Sequence, residues 1–463
     1  MTSGSRRVDN QSFNLTHGNI LSKLMGISVP IVGTQLLLMS YNMVDMFLLG
    51  RLHPDAVAAS GSAGMYMWLA GGVQMIGRMG AEIGVSQYKG KGDAESARQL
   101  SHNSLFMAAL TGVLLGLAYM VFAEPLMAFL NIQEADVHAD ARTYLWIIGI
   151  GIPASFVSSS VAGTFTGAGN SRAPFFIMAL GLLINALLDP LLIFTAGLGV
   201  AGAAIATVIA QYCALGLAVA WLLWKRDRPF GTYRFFVLPR WERIRQILVW
   251  SIPVCVESLL FTFFSMVLAR HVAMFGANAI TVFRVGGQSE SICWLICLGF
   301  SSGITAFVGQ NYGARKWSRI RSCVRQSVLA LVGWGIPSSV FLFVMGKVIF
   351  RLFVPNETIV EMGGDYLKIL SLCQVFLCLE AVGGGAFRGL GRTFPPSLAG
   401  GITNALRVPL AYLLPYTGLG LNGIWWIITV TATARGLWMF LWLLSYLRTR
   451  PSQDGQVGTQ PIL

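Results

Sequence analysis

Charge is what this 463-residue chain has least of. Asp, Glu, Lys and Arg make up 11% of it, against about 25% in an ordinary soluble domain. The seven cysteines (Cys213, Cys255, Cys293, Cys297, Cys323, Cys373 and Cys378) form no CxxC pair, so the spacing supports neither a zinc site nor a disulfide framework. They sit in or beside apolar runs and read as small buried hydrophobes. No pair of the five histidines has zinc-ligand spacing, no stretch reads as a strand, and no enzyme signature is visible. The polar first 18 residues, with Arg6 and Arg7, lack the pattern of a cleavable signal peptide.

Apolar residues fill the space that charge leaves. The chain is 55% hydrophobic, with 52 glycines and a mean hydropathy of +0.64, and glycine is commoner in membrane helices than in soluble ones. A soluble nucleic-acid binder is excluded despite 33 Lys+Arg against 20 Asp+Glu, and so is a disordered chain. Apolar runs fall near 20–50, 56–86, 102–130, 143–165, 174–196 and 199–224, then near 247–270, 279–309, 322–347, 364–387, 396–415 and 419–446. At about 20 residues per crossing, these are twelve transmembrane helices. A basic stretch from Lys225 to Arg245 divides them six and six.

Position gives the net charge of +13 its meaning. Loops on one side collect Lys89, Lys91, Arg98, Arg172, Lys225, Arg226, Arg228, Arg234, Arg240, Arg243, Arg245, Arg315, Lys316, Arg319, Arg321, Arg325, Arg388, Arg392, Arg448 and Arg450. The other side has Arg51, Arg142, Arg270, Lys347 and Arg351 beside Glu134, Asp136, Asp140, Glu357 and Glu361. The positive-inside rule then makes both termini cytoplasmic.

The two sets of six repeat each other. At an offset of 223 residues Pro30 meets Pro253, Gln87 meets Gln310, Gly90 meets Gly313 and Arg98 meets Arg321. Later, Phe165, Gly167 and Gly169 meet Phe387, Gly389 and Gly391, and Asn185 and Pro190 meet Asn404 and Pro409. Six is even, so both sets start on the same side. The expected fold is an all-α polytopic membrane protein of two six-helix lobes, related by a pseudo-two-fold along the membrane normal. The expected division is an N-terminal tail (1–18), an N-lobe (19–224), a basic linker (225–245), a C-lobe (246–447) and a C-terminal tail (448–463). Two GxGxxG stretches, Gly197–Gly202 and Gly418–Gly423, each join two apolar helices, so tight hairpins fit better than a dinucleotide site. Asn10 and Asn14 open glycosylation sequons, but in the expected cytoplasmic tail.

Ionisable groups inside spans are costly and mark function by default. They are Asp45, Arg78, Glu82, Asp189, Glu257, Arg284, Glu290, Glu380, Arg407 and Arg435. Arg78 and Glu82, four apart on one helix, read as a structural pair; Arg435 either snorkels or pairs. Asp45, Asp189 and Thr207 fall at a similar depth in the outer part of spans 1, 5 and 6, with Asn185 one turn deeper than Asp189. Pro190 cannot bond the carbonyl of Ala186, which leaves a backbone oxygen to satisfy. Two carboxylates, an amide, a hydroxyl and that carbonyl suit a hard cation, and crowded buried carboxylates can load and release protons near physiological pH. The bland alternative is a polar knot that fixes helix packing. It should recur in both lobes, yet the repeat puts Leu268 opposite Asp45 and Val408 opposite Asp189. Glu257 and Glu380 in the second half either receive a cationic substrate or a second coupling ion, or neutralise Arg407. Pro30 and Pro190 are candidate hinges.

Over nearly its whole length the chain resembles the multidrug and toxic compound extrusion (MATE) transporters. The resemblance is carried by Tyr41-Asn42-Met43-Val44-Asp45 before Gly50-Arg51, by Gln87-Tyr88 with Gly90, and by Gly167-Ala168-Gly169-Asn170. Asn185 to Pro190 and the paired Gln310 and Gly313 complete it. The details look more like the DinF branch, and that likeness implies a cation- or proton-binding cluster at Asp45, Asn185, Asp189 and Thr207. It implies Na⁺ or H⁺ there, no other metal and no cofactor. Glu257 and Glu380 only approximate the acids of NorM-like members. The resemblance implies a monomeric antiporter of small-molecule organic cations in the lipid bilayer of the bacterial inner membrane, with no nucleic-acid partner and no enzymatic activity. The alternative is a lipid-linked precursor flippase of the wider superfamily, for which Arg284 and Arg407 leave room.

Overall fold

In the computed structural model, the described residues are 14–130, 132, 134–224, 229–230, 233, 238–413 and 418–450. Arg6, Arg7 and Asn10, ten residues of the basic linker (with Lys225, Arg226, Arg228 and Arg234) and residues 451–463 lie outside them. Fourteen α-helices account for nearly all the rest, with no strand among the described residues. The first half comprises α1 (Ile20–Leu52), α2 (Pro54–Gly90), α3 (Ala94–Val121), the short α4 (Ala123–Phe129), α5 (Ala135–Gly167), α6 (Arg172–Pro190) and α7 (Gly199–Trp224). A π-helical turn, Leu191–Thr195, continues α6. The second half comprises α8 (Trp241–Ala273), α9 (Ala277–Gly313), α10 (Trp317–Phe353), α11 (Glu357–Ser371), α12 (Gln374–Gly389), α13 (Phe394–Leu413) and α14 (Leu421–Arg448).

These are the twelve expected spans with local breaks. The third divides at Phe122 into α3 and α4, and the tenth divides into α11 and α12, bent by 45°. The basic stretch is shorter than its sequence suggests. From Trp241 it is already helical, because Ile244 and Ile247 give it an apolar face and Ile247 is fully buried. Nine described helices are long and apolar enough to cross a membrane, ten with the bent pair counted as one. The two that fall short are α2 and α13. α2 is packed on four sides by α3, α5, α8 and α9, so little of it needs to suit lipid. α13 carries Thr403, Asn404 and Arg407 toward α8 and α14. Outward-facing surface is apolar instead: α10 exposes Leu329, Ile336, Val340, Phe341, Phe343 and Val344. An apolar face of that extent belongs in a bilayer rather than in water.

Each half lends its first helix to the other. α1 packs against α9, and its repeat counterpart α8 packs against α2. Leu24, Ile27 and Ile31 of α1 join a core built from α9, α10, α12 and α14, while Ile247, Trp250 and Val254 of α8 join Met79 and Ile83 of α2 and Leu100 of α3. Lipid offers no hydrophobic drive for such contacts, so they rest on close packing and on polar links. Ser251 donates to the Ile76 carbonyl (2.8 Å), and Ser302 of α9 donates to Glu82 of α2 (2.7 Å).

The end that carries the basic loops is closed by a symmetric pair of links. Gln87 donates through Nε2 to the Gly389 carbonyl, and its repeat mate Gln310 donates to the Gly167 carbonyl, both at 2.9 Å. Gly90 lies against the Gln310 backbone and Gly313 against the Gln87 backbone, so close that a Cβ at either position would collide with a carbonyl. The expected polar tail adds to this closure. Asn14–Gly18 folds back, Leu15 is 2% exposed in the second-half core, and its N–H donates to Gln310 Oε1 (3.0 Å).

Candidate functional site

Three first-half helices bring the expected residues together near the end opposite the closure. Asp45 lies seven residues before the end of α1, Asp189 six before the end of the π-helical turn that continues α6, and Thr207 eight after the start of α7. At 1.5 Å per residue each is about 10 Å from its end of the bundle. Asp189 is fully buried, and its Oδ1 accepts from Asn185 Nδ2 at 2.9 Å. That bond fixes the amide so that the Asn185 oxygen remains an acceptor. Asp189 Oδ2 and Asp45 Oδ1 are buried with no hydrogen-bond partner. Buried polar atoms are nearly always paired, so these two carboxylate oxygens await a partner that the described side chains do not supply. The two carboxylates are close enough to act on each other electrostatically.

The sequence reading missed two members of this cluster. Tyr41 of α1 and Thr207 share a hydroxyl–hydroxyl hydrogen bond (3.1 Å), and Thr207 Oγ1 donates to the Ala203 carbonyl (3.0 Å), so the Tyr41 hydroxyl is the donor to Thr207. Tyr144 of α5 is buried in the field of both aspartates, with its hydroxyl toward Thr207. Tyr41 stood in the family-like motif without a role. Tyr144 had only the weak signal of a tyrosine at the edge of an apolar run, where its hydroxyl needs a partner. The turn after Pro190 is π-helical, closed by Ala196 N–H to the Leu191 carbonyl (2.8 Å). Such single π turns recur at functional sites.

The second-half charges form a separate, compensated group. Arg435 Nε donates to Glu380 Oε2 at 2.8 Å, so Arg435 pairs rather than snorkels. Arg407 Nε donates to Thr431 Oγ1 (2.7 Å) and lies in the field of Glu380, Glu290 and Arg435. Glu257 accepts from Ser397 (3.0 Å), and Glu290 is 3.5 Å from Gln374 Nε2. Arg284 is exposed. In the first half, Arg78 Nε is 3.8 Å from Glu82 Oε2, within ion-pair range, but the hydrogen bond to Glu82 comes from Ser302 across the halves.

Folding also gathers three cysteines that the sequence scatters. The sulfurs of Cys293 and Cys297 (α9) and Cys378 (α12) lie within 4.8 Å of one another, with Cys297 and Cys378 3.6 Å apart. Three soft donors suit a thiophilic ion, in a different half from the aspartates.

Known proteins agree with this architecture. The family model described as MatE matches residues 30–191 and again residues 253–413, once in each half. A probable multidrug resistance protein NorM of Thermotoga maritima is 27% identical, over 88% of this chain and 88% of that one. The multidrug export protein MepA of Staphylococcus aureus is 22% identical, over 96% of this chain and 98% of that one. A crystal structure of MATE in the straight conformation matches the fold with a TM-score of 0.88 at 22% identity, covering 94% of this chain and 98% of that one. With a double family match, a repeated six-helix plan and a full-length structural likeness, the chain belongs to the MatE family and is a multi-pass membrane transporter, not an enzyme.

Proposed function

We propose that the chain is a secondary active antiporter that exports organic, cationic drugs or toxic compounds in exchange for H⁺ or Na⁺ by alternating access. The single observation that carries this reading is the pair of buried, unpartnered carboxylate oxygens on Asp45 and Asp189. Two negative charges in one buried field cost free energy, and one proton or one Na⁺ relieves that cost. The Asn185 oxygen and the Thr207 hydroxyl complete a set of hard oxygen donors, and the Tyr41 hydroxyl holds Thr207 in place. The names of the relatives in Thermotoga and Staphylococcus, a multidrug resistance protein and a multidrug export protein, support export of small molecules. The same site residues favour the DinF-like branch.

In the proposed cycle the ion reaches Asp45 and Asp189 from outside. Loading bends α1 near Pro30 and moves the Pro190 turn, the first-half cavity closes, and substrate leaves. Lobes spanning 19–224 and 246–447 then reverse the exchange on the other side. Both termini are cytoplasmic, because Lys and Arg crowd the end at which α2, α9 and α14 finish, and the relatives in Thermotoga and Staphylococcus support a bacterial inner membrane. The chain works as a monomer. Glu257, Glu380 and Arg407 form a polar wall in the second half suited to substrate contact. The flippase reading needs a net basic basin, and Arg388, Arg407 and Arg435 are offset by Glu257, Glu290 and Glu380, which argues against it.

Efflux from proteoliposomes, driven separately by proton and sodium gradients, tests the proposal. The Asp45→Asn, Asp189→Asn double variant is expected to lose gradient-driven efflux while still folding. Efflux at the wild-type rate in that variant would remove the coupling assignment.

A further inference from the structure

At the basic end, where the two halves meet, lies a cavity of about 470 Å³ whose residues the transport cycle above does not use. Lys89 and Lys91 reach it from the end of α2, Arg315 and Lys316 from the turn between α9 and α10, and His17 from the folded-back N-terminal turn. α2 and α9 are 37 residues each. That is about 55 Å of helix against about 30 Å of bilayer hydrocarbon, so their last turns stand outside the apolar layer. None of the described lining residues is acidic. The neighbouring Asp93 is engaged as the cap of α3 through the Ser96 N–H. Lys23 adds a further positive charge close enough to act on Lys89.

We propose that this cavity binds a phosphate-bearing anion, which ties the two halves together at the basic end. Orientation in the membrane requires basic loops, but it does not require what is found here. Arg315 is the one described non-glycine residue with positive φ, at 57°. Its mate at the repeat offset of 223 residues is Gly92, with φ at 79°. Glycine adopts this backbone freely, whereas an L-residue does so only at a cost in free energy. The second half thus keeps an arginine where the fold itself asks for glycine. Such local strain collects at ligand sites, and here it adds a guanidinium to the cavity wall. The ammonium groups are also fixed in place: Lys316 Nζ donates to the Thr16 carbonyl (2.9 Å) and Lys89 Nζ to the Ala168 carbonyl. An arginine fork and point-charge lysines are the groups that phosphate favours.

The phosphate belongs either to a soluble polyphosphate or to an anionic lipid headgroup, and two arms separate these sources. Full-length protein in phosphatidylcholine nanodiscs is titrated with inorganic pyrophosphate at fixed ionic strength. In parallel it is placed in nanodiscs containing phosphatidylglycerol. Hydrogen exchange at residues 89–92 and 313–318 and the thermal midpoint are read in both. Slower exchange at those two segments with a raised midpoint is expected in at least one arm, which names the source. In the Arg315→Gly, Lys316→Gln variant the apparent affinity should fall at least tenfold. The midpoint of Arg315→Gly alone, without anion, should not fall, because glycine relieves the backbone. Lys347→Gln, at the opposite end, should bind like the wild type. The proposal is overturned if neither arm protects these segments, if chloride at equal ionic strength protects them as well, or if the double variant binds with wild-type affinity. None of these readouts involves transport, so failure of the antiport reading would leave them unchanged.

Discussion

Removing the Glu380 carboxylate would leave Arg435, 10% exposed in its side chain, without the partner 2.8 Å away. Breaking a buried ion pair from one side typically costs about 3 kcal/mol or more, whereas replacing both members with apolar groups is close to neutral. Glu380→Gln is therefore expected to lower the thermal midpoint, and Glu380→Leu with Arg435→Met to restore it. If Glu380→Gln keeps full stability but loses substrate affinity, Glu380 is a ligand contact rather than a structural one. Single residues were legible in proportion to how badly they suit lipid. Asp45 and Asp189 declared themselves as charges in apolar runs, and their absence from Leu268 and Val408 separated site from scaffold. Tyr144 did not, since a tyrosine is ordinary near a membrane interface and only its position beside Thr207 reveals a role. Leu15 was hidden for the opposite reason: the few apolar residues of the polar tail (Val8, Phe13 and Leu15) carry no period.

Most helices were legible from their apolar runs, and their irregularities only where proline or glycine marks them. Pro125 follows the break between α3 and α4, and Pro190 precedes the π turn. The glycines of both hairpins, Gly197 and Gly199, then Gly418 and Gly420, take positive φ as their repeat demands. The 45° bend between α11 and α12 falls at Leu372-Cys373, with neither proline nor glycine, and no local signal announces it. Pro30 sits inside a continuous α1, where its missing N–H leaves the Gly26 carbonyl without its helical partner. Pro30→Ala restores that bond and stiffens the helix. Such a variant is expected to fold with an unchanged or raised thermal midpoint while its efflux rate falls severalfold. Unimpaired efflux would show that α1 does not bend there.

The repeat, and with it the two-lobe plan, was legible because motifs recur at one offset, and the family model matches once in each half. The exchange of first helices was not, because α1 and α8 carry apolar residues on every side and periodicity cannot say which face meets which partner. With α1 on α9 and α8 on α2, neither half has a finished surface of its own. Residues 1–230 and 231–463 produced separately are expected to be degraded, and produced together to accumulate and copurify. Stable accumulation of either alone would contradict the shared packing. The same exchange bears on how the molecule is made. Synthesis proceeds from the N-terminus, so α1 and α2 enter the membrane before α8 and α9 exist. Through that interval Ser28 and Glu82, at most 1% exposed in the finished protein, lack their second-half neighbours Gly303 and Ser302, and Glu82 has only Arg78 of its own helix to offset its charge in a medium where ionisable groups are costly. The pace at which the second half follows the first thereby sets how long each new chain is vulnerable to quality-control proteases.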